Sequence, residues 1–195
     1  MARTNISVDS TVFDQFSKEA ERHNKTLFAF ANETLSAVSK ISSEGGSPSQ
    51  LYPVWRSLSI LRQIDVITLP SDFVDDLIEK IYLSSKETAL RMFRDLGSSV
   101  VGLLRIAADD LDGLASLAKD FALIIPVKQF KVNKEGGEGD VEIDVVGAGR
   151  KVSSTECTFA FLKAILNGYG YSVTMQEIGV GTLRIWASLG PSVRV

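Results

Sequence analysis

Apolar and polar residues alternate near the start of the chain and then recur at helical spacing as far as Lys40. Residues 5–8 have a period of two, which predicts a short strand with one buried face. Asp9 follows as a helix N-cap, and a first amphipathic helix ends near His23 and Asn24. Thr26 is the expected N-cap of a second helix with its own apolar stripe. The pattern therefore predicts a strand followed by two helices.

Serine, glycine and proline dominate residues 42–50 and leave no apolar period there. This composition predicts a flexible linker. It divides the chain into an expected N-terminal domain, 1–41, and an expected C-terminal domain, 51–195.

The C-terminal domain changes its hydrophobic period once. In residues 51–121 the apolar side chains recur every three or four positions, which predicts several helices. Residues 122–195 have a period of two on both sides of a helix that begins near Cys157, which predicts two hairpins in a ββαββ unit with an antiparallel sheet. The expected fold class is α+β, with β-α-α first, then a helical segment, then ββαββ.

Three features of the N-terminal domain have matching positions in a known family. They are the polar Asp9 after the strand, the turn Asn24-Lys25-Thr26, and the run from Ala31 to Leu35. This order resembles the ribbon-helix-helix family of DNA-binding proteins. The resemblance departs from the family pattern at Asn24, where glycine is usual, and in the absence of a second basic residue on the outward face of the strand.

The resemblance implies a homodimer or higher homo-oligomer on double-stranded DNA. In that family, two chains pair their strands into a ribbon that enters the major groove of a palindromic site, and the second helix begins at a phosphate. The implied DNA-binding residues are Arg3, Asn5, Ser7, Lys25 and Thr26. The implied core shared by two chains consists of Ile6, Val8, Phe13, Phe16, Phe30, Leu35 and Val38.

Charge and composition narrow the classes of function. The 195 residues include 21 basic and 24 acidic side chains, for a net charge of −3, and residues 1–40 balance to zero. DNA binding by such a neutral module is expected to be weak and strongly salt-dependent. The single cysteine and single histidine exclude a disulfide within the chain and a Cys/His zinc site, and favour a reducing cytoplasm. No apolar run long enough for a membrane span and no secretory signal is evident.

The C-terminal half carries a second, fainter pattern: a strand pair, Cys157 opening a helix, then Gly168 and Gly170, Glu177 in a strand and Gly181 before the last strand. This order resembles the 4-vinyl reductase type of small-molecule-binding domain. Those domains often carry further cysteines for a metal, and this chain has none. The resemblance therefore implies only a pocket, and a small apolar effector is expected between the helix over 157–166 and the sheet.

Two charged motifs leave alternatives open. Gly147 and Gly149 precede Arg150 and Lys151 before a helix, which allows a dinucleotide loop but favours a simple turn, since the third glycine is absent. The two cations are also candidates for an anionic effector or the DNA backbone. The acidic residues 109, 110 and 112 allow a cation site but favour a helix first turn that matches the dipole.

Nothing in the sequence assembles a catalytic site. His23 lies at a predicted helix end, and Cys157 has no second histidine to act as its base. The chain is expected to be no enzyme and to need no cofactor or metal. We interpret it as a dimeric transcriptional regulator whose C-terminal domain senses a ligand or oligomerises. The alternatives are an assembly protein that uses the N-terminal module only to dimerise, and a ligand-binding or enzymatic C-terminal half.

Overall fold

Helices occupy the first part of the chain, and among the described residues strands appear only after Phe121. The structure is a computed structural model and describes residues 5–134 and 139–190. In that part of the chain it contains seven helices and one four-stranded sheet, so the fold class is α+β. The chain divides into two units, Met1–Leu51 and Tyr52–Val195. None of the described helices combines the length and apolar character needed to cross a bilayer.

The first unit contains a pair of helices, α1 (Ser10–Arg22) and α2 (Leu27–Ser43). Residues 5–9 before them are exposed and form neither helix nor strand. The strand predicted over residues 5–8 is therefore not formed. A strand needs a neighbouring strand for its backbone hydrogen bonds, and the described part of one chain pairs none with residues 5–8.

The described part of the second unit contains five helices and four strands, and they follow the predicted order. They are α3 (Pro48–Gln63), which begins in the first unit, α4 (Ser71–Ser84), α5 (Lys86–Ala107), α6 (Leu111–Phe121), β1 (Gln129–Lys134), β2 (Asp140–Val146), α7 (Val152–Gly168), β3 (Tyr171–Gly179) and β4 (Thr182–Leu189).

The linker predicted over 42–50 is shorter in the structure, because helices occupy part of it. α2 continues to Ser43 and ends in a Schellman motif, in which Gly45 has φ +89° and the Gly46 N–H donates to the Ile41 carbonyl at 2.9 Å. α3 then starts at Pro48, whose fixed φ suits a first helical position. The glycine and proline that suggested a linker thus have other roles: Gly45 ends α2 and Pro48 begins α3.

The sheet has the order β1-β2-β4-β3, and all neighbouring strands are antiparallel. Its alternating residues bury one face: Ile143 and Ile185 are register partners at the centre and are 1% and 0% exposed. Ile165 and Leu166 of α7 belong to the same core. The core of the second unit therefore lies between the sheet and its helices.

α5 and α7 pack closely at Gly97. A Cβ added there would lie 2.5 Å from the Phe161 carbonyl oxygen and 2.9 Å from the Ala164 Cβ, both in α7. Gly102 lies further along α5, where it is exposed and a Cβ would meet no atom within 4 Å. Of these two glycines, only the first is required by packing.

We expect Gly97→Ala and Gly102→Ala to change stability in opposite directions. The methyl group at Gly97 must push the two helices apart, which costs about 1–3 kcal/mol of unfolding free energy. At Gly102 the same change only improves helix propensity and stabilises by about 0.5–1 kcal/mol. Urea unfolding of both variants measures the difference, and a stabilised Gly97→Ala would contradict the close contact.

Candidate functional site

The turn between α1 and α2 is held by backbone geometry. Asn24 has φ +53°, and its N–H donates to the Glu21 carbonyl while the Lys25 N–H donates to the Ala20 carbonyl, both at 2.9 Å. These two bonds form a Schellman motif in which asparagine takes the left-handed position. The departure from glycine noted in the sequence therefore does not prevent the turn.

Both helices begin at the expected caps. The Asp9 carboxylate accepts a hydrogen bond from the Thr11 N–H at 2.8 Å, and the bonds from the Thr11 side chain and backbone lower the pKa of Asp9. The Thr26 hydroxyl accepts from the Ala29 N–H at 3.2 Å at the start of α2. Phe16 and Phe30 join the helices, with ring centroids 4.7 Å apart.

The expected DNA-binding residues have different environments. Asn5 and Ser7 are exposed, and Arg3 lies outside the described residues. Thr26 caps α2, while the Lys25 ammonium is paired with the Glu33 carboxylate. The pair is largely exposed, so it is weak, and Lys25 can exchange this partner for a phosphate at little cost.

The residues expected in a core shared by two chains are not buried in one chain. Ile6 is 67% exposed, Val8 55%, Leu35 50% and Phe13 46%, while Phe16, Phe30 and Val38 are half-buried. Ala20 is the one buried side chain among the residues of α1 and α2, all of which the structure describes. The first unit therefore leaves many of its apolar side chains exposed to water.

Arg150 and Lys151 are engaged by α4. The Arg150 guanidinium pairs with Asp72, and the Lys151 ammonium lies 2.7 Å from the Asp76 carboxylate and 2.5 Å from that of Glu79. The carboxylates raise the pKa of Lys151, and Lys151 lowers that of Asp76. The described sheet is antiparallel throughout, so the glycines here form the favoured simple turn and not a dinucleotide loop.

The acidic residues at the start of α6 have ordinary partners. Asp110 caps the helix by accepting from the Gly113 N–H at 2.7 Å, and the Asp112 carboxylate lies 2.7 Å from the Lys134 ammonium. Among the described residues, no group of three or more metal-ligating side chains comes together. This arrangement matches the helix first turn that the sequence favoured.

Cys157 is a packed thiol in α7. Its side chain is fully buried beside Ile78 and Ala89, and burial raises its pKa to about 11. A thiol with that pKa carries little thiolate at neutral pH and is a poor nucleophile. Its burial is that of a side chain packed in the core.

A cluster that sequence reasoning missed lies next to Cys157. The Glu156 carboxylate accepts from the Tyr82 hydroxyl at 2.7 Å and lies 2.6 Å from the Lys86 ammonium. Burial raises the pKa of Glu156, but the bonds from Lys86 and Tyr82 outweigh it and lower the pKa overall. Since 74 residues separate Tyr82 from Glu156, no local motif could have revealed the cluster.

A cleft of about 410 Å³ opens in the second unit, and we call it the apolar cleft. It lies among α3, α5, α6, α7 and the strands β1 and β2. Its floor includes the buried Val100 and Val145, and Leu96 lies exposed at its rim. Among the described residues, Thr158 is the one polar side chain in a lining that otherwise includes Leu61, Phe93, Ala118, Phe121, Phe130 and Phe161.

Comparison of the chain with protein-family models, with curated proteins and with solved structures finds no match. The assignment of function therefore rests on the residues and contacts described above.

Proposed function

We propose that the protein is a cytoplasmic, dimeric DNA-binding regulator of the ribbon-helix-helix type. The observation that carries the proposal is the exposed apolar surface of the first unit. The helices α1 and α2 are capped and joined by a defined turn, yet within them only Ala20 is buried. A helix pair of this kind needs a partner to bury its apolar side chains.

A second copy of the chain suits that surface. Residues 1–40 carry equal numbers of acidic and basic side chains, so two copies meet without net repulsion. A two-fold dimer would place residues 5–8 of the two chains side by side, where their backbone groups can pair. In such a ribbon Ile6 and Val8 face the helices, and Asn5 and Ser7 face outward.

The outward face then has the chemistry of a major-groove reader. An antiparallel ribbon fits the groove, and the amide of Asn5 can bond both hydrogen-bonding groups on the edge of adenine. Arg3 would do the same for guanine. Lys25 and the N-terminus of α2 at Thr26 would meet the phosphate backbone. A palindromic site follows from the two-fold symmetry of the dimer.

The apolar cleft supports a sensing role for the second unit. Its volume is in the range of small-ligand pockets, and a described lining with one hydroxyl and no charge suits an apolar, uncharged effector. The cleft borders α7 and the sheet, near the position expected from the sequence. DNA binding by the first unit and effector binding by the apolar cleft are proposed independently of each other.

The rival function is an assembly protein that uses the first unit only to dimerise. Selection of random duplex DNA with the intact protein separates the two. Enrichment of short palindromic sites supports the regulator, and failure to enrich any sequence even at low salt supports the assembly protein.

We expect Asn5→Ala and Arg3→Ala to weaken binding to the selected site by about 1–3 kcal/mol each, through loss of a base contact. Folding should be unchanged by the first substitution because Asn5 is exposed. Electrophoretic mobility shifts measure the affinity, with Lys18→Ala on the exposed surface of α1 as the control. A lower melting temperature with unchanged DNA affinity would mean that the strand register is shifted by one residue.

We expect Leu35→Ala to destabilise the dimer by about 2–5 kcal/mol, because the side chain should be buried between two chains. Its 50% exposure in one chain would otherwise predict a smaller loss, of about 1 kcal/mol. Unfolding at several protein concentrations, with Ser36→Ala as the control, measures the effect. Unfolding that does not depend on concentration would contradict the shared core.

We expect the neutral fluorophore N-phenyl-1-naphthylamine to bind the apolar cleft with saturable fluorescence enhancement. Ala118→Phe fills the cleft and should weaken binding roughly tenfold or more. Ser116→Phe adds the same ring to an exposed position of α6 outside the cleft and should leave binding unchanged. Equal binding by both variants would remove the sensing role.

A further inference from the structure

A second cleft, of about 480 Å³, lies between α5, α7 and β3, and we call it the polar cleft. Lys86 and Arg94 of α5 and Lys163 of α7 line it, together with the carboxylate of Glu156. Its composition differs from that of the apolar cleft, which has no charged side chain among its described lining residues. Three cations and one anion in the described lining give the polar cleft a surplus of positive charge.

The carboxylate of Glu156 neutralises one of the three cations, Lys86. Glu156 is held by Lys86 and Tyr82 at 2.6 and 2.7 Å, so Lys86 and Glu156 neutralise each other. The surplus therefore belongs to Arg94 and Lys163.

These two cations are weakly engaged. The Arg94 guanidinium lies 3.8 Å from the Glu87 carboxylate, and both side chains are more than half exposed, so that pair contributes little. The Lys163 ammonium lies 6.0 Å from the centre of the Phe159 ring, and among the described residues no carboxylate is within ion-pair distance of it. This contrasts with Lys151, whose charge α4 already neutralises.

The rest of the lining has two kinds of group. Asn167 and Gln176 bring side-chain amides, which can donate hydrogen bonds to oxygen atoms of an anion. Phe159, Ala160 and Ile178 form an apolar part of the wall. The cleft thus offers cations and amides to a charged group, and an apolar wall to the rest of a ligand.

We propose that the polar cleft binds a small organic anion in which a carboxylate or phosphate is attached to an apolar body. Arg94 and Lys163 hold the charged group, and Phe159 and Ile178 contact the apolar part. The concave shape and the volume suit a small molecule better than a DNA backbone, whose phosphates are spaced along an extended surface and are contacted at several points. This inference does not depend on DNA binding by the first unit.

The test is a titration of the isotope-labelled full chain with phenyl phosphate at low ionic strength. Amide NMR signals are recorded at each step of the titration. We expect saturable shifts at residues of the cleft such as Ala160, Lys163 and Gln176. Benzoate should cause shifts at the same residues, and inorganic phosphate should bind more weakly because it lacks the apolar body. Phenol, which has the ring without the charge, should cause none at these residues.

Charge variants supply the matched control. Arg94→Gln and Lys163→Gln should each weaken phenyl phosphate binding roughly tenfold, since each removes a charge-assisted contact. Lys119→Gln removes the same charge from an exposed position of α6 and should leave the affinity unchanged. All three positions are exposed, so the variants should keep the fold, which their melting temperatures verify.

Three results would overturn the proposal. The first is an absence of saturable shifts at the cleft residues with phenyl phosphate and with benzoate. The second is equal weakening by Lys119→Gln, which would mean non-specific attraction. The third is a set of shifts at these residues caused by duplex DNA and not by phenyl phosphate, which would make this surface a DNA-backbone contact.

Discussion

The close contact between α5 and α7 is the constraint on which the rest of the second unit depends. Gly97 lets the two helices approach until the Phe161 carbonyl and the Ala164 methyl occupy the space of a side chain. α7 can then contact α5 and the buried face of the sheet together, through residues such as Ile165. Both clefts are bounded in part by these two helices, so this packing distance contributes to the shape of each.

Ion pairs connect α4 to the loop before α7. Lys151 lies between Asp76 and Glu79, and Arg150 pairs with Asp72 while its N–H donates to Asp75 at 3.2 Å. Most of these groups are exposed, so the pairs contribute more to the position of α4 than to stability. Because Lys151 has two carboxylate partners, it is less available to an external anion than Lys163.

The two units differ in how far they bury their apolar side chains. The second unit buries its core among its own helices and strands, with Leu117, Ile143 and Ile185 almost fully covered. The first unit has the capped helices of a stable element, yet it exposes the side chains that would form its core. This difference is the physical basis for proposing that the first unit is completed by a second copy of the chain.

The sequence by itself determined the local elements, because the caps at Asp9 and Thr26 and the turn at Asn24 act through backbone groups a few residues away. The stretch between α2 and α3 is shorter than the linker predicted over 42–50, because glycine can also end a helix and proline can also begin one. The alternation of residues 5–8 sets which side chains share a face, but a partner strand has to supply the hydrogen bonds.

Only the tertiary structure decided which charges are paired and which line a cleft. The α4 partners of Arg150 and Lys151 lie 72 to 78 residues away along the chain, a separation that no local period connects.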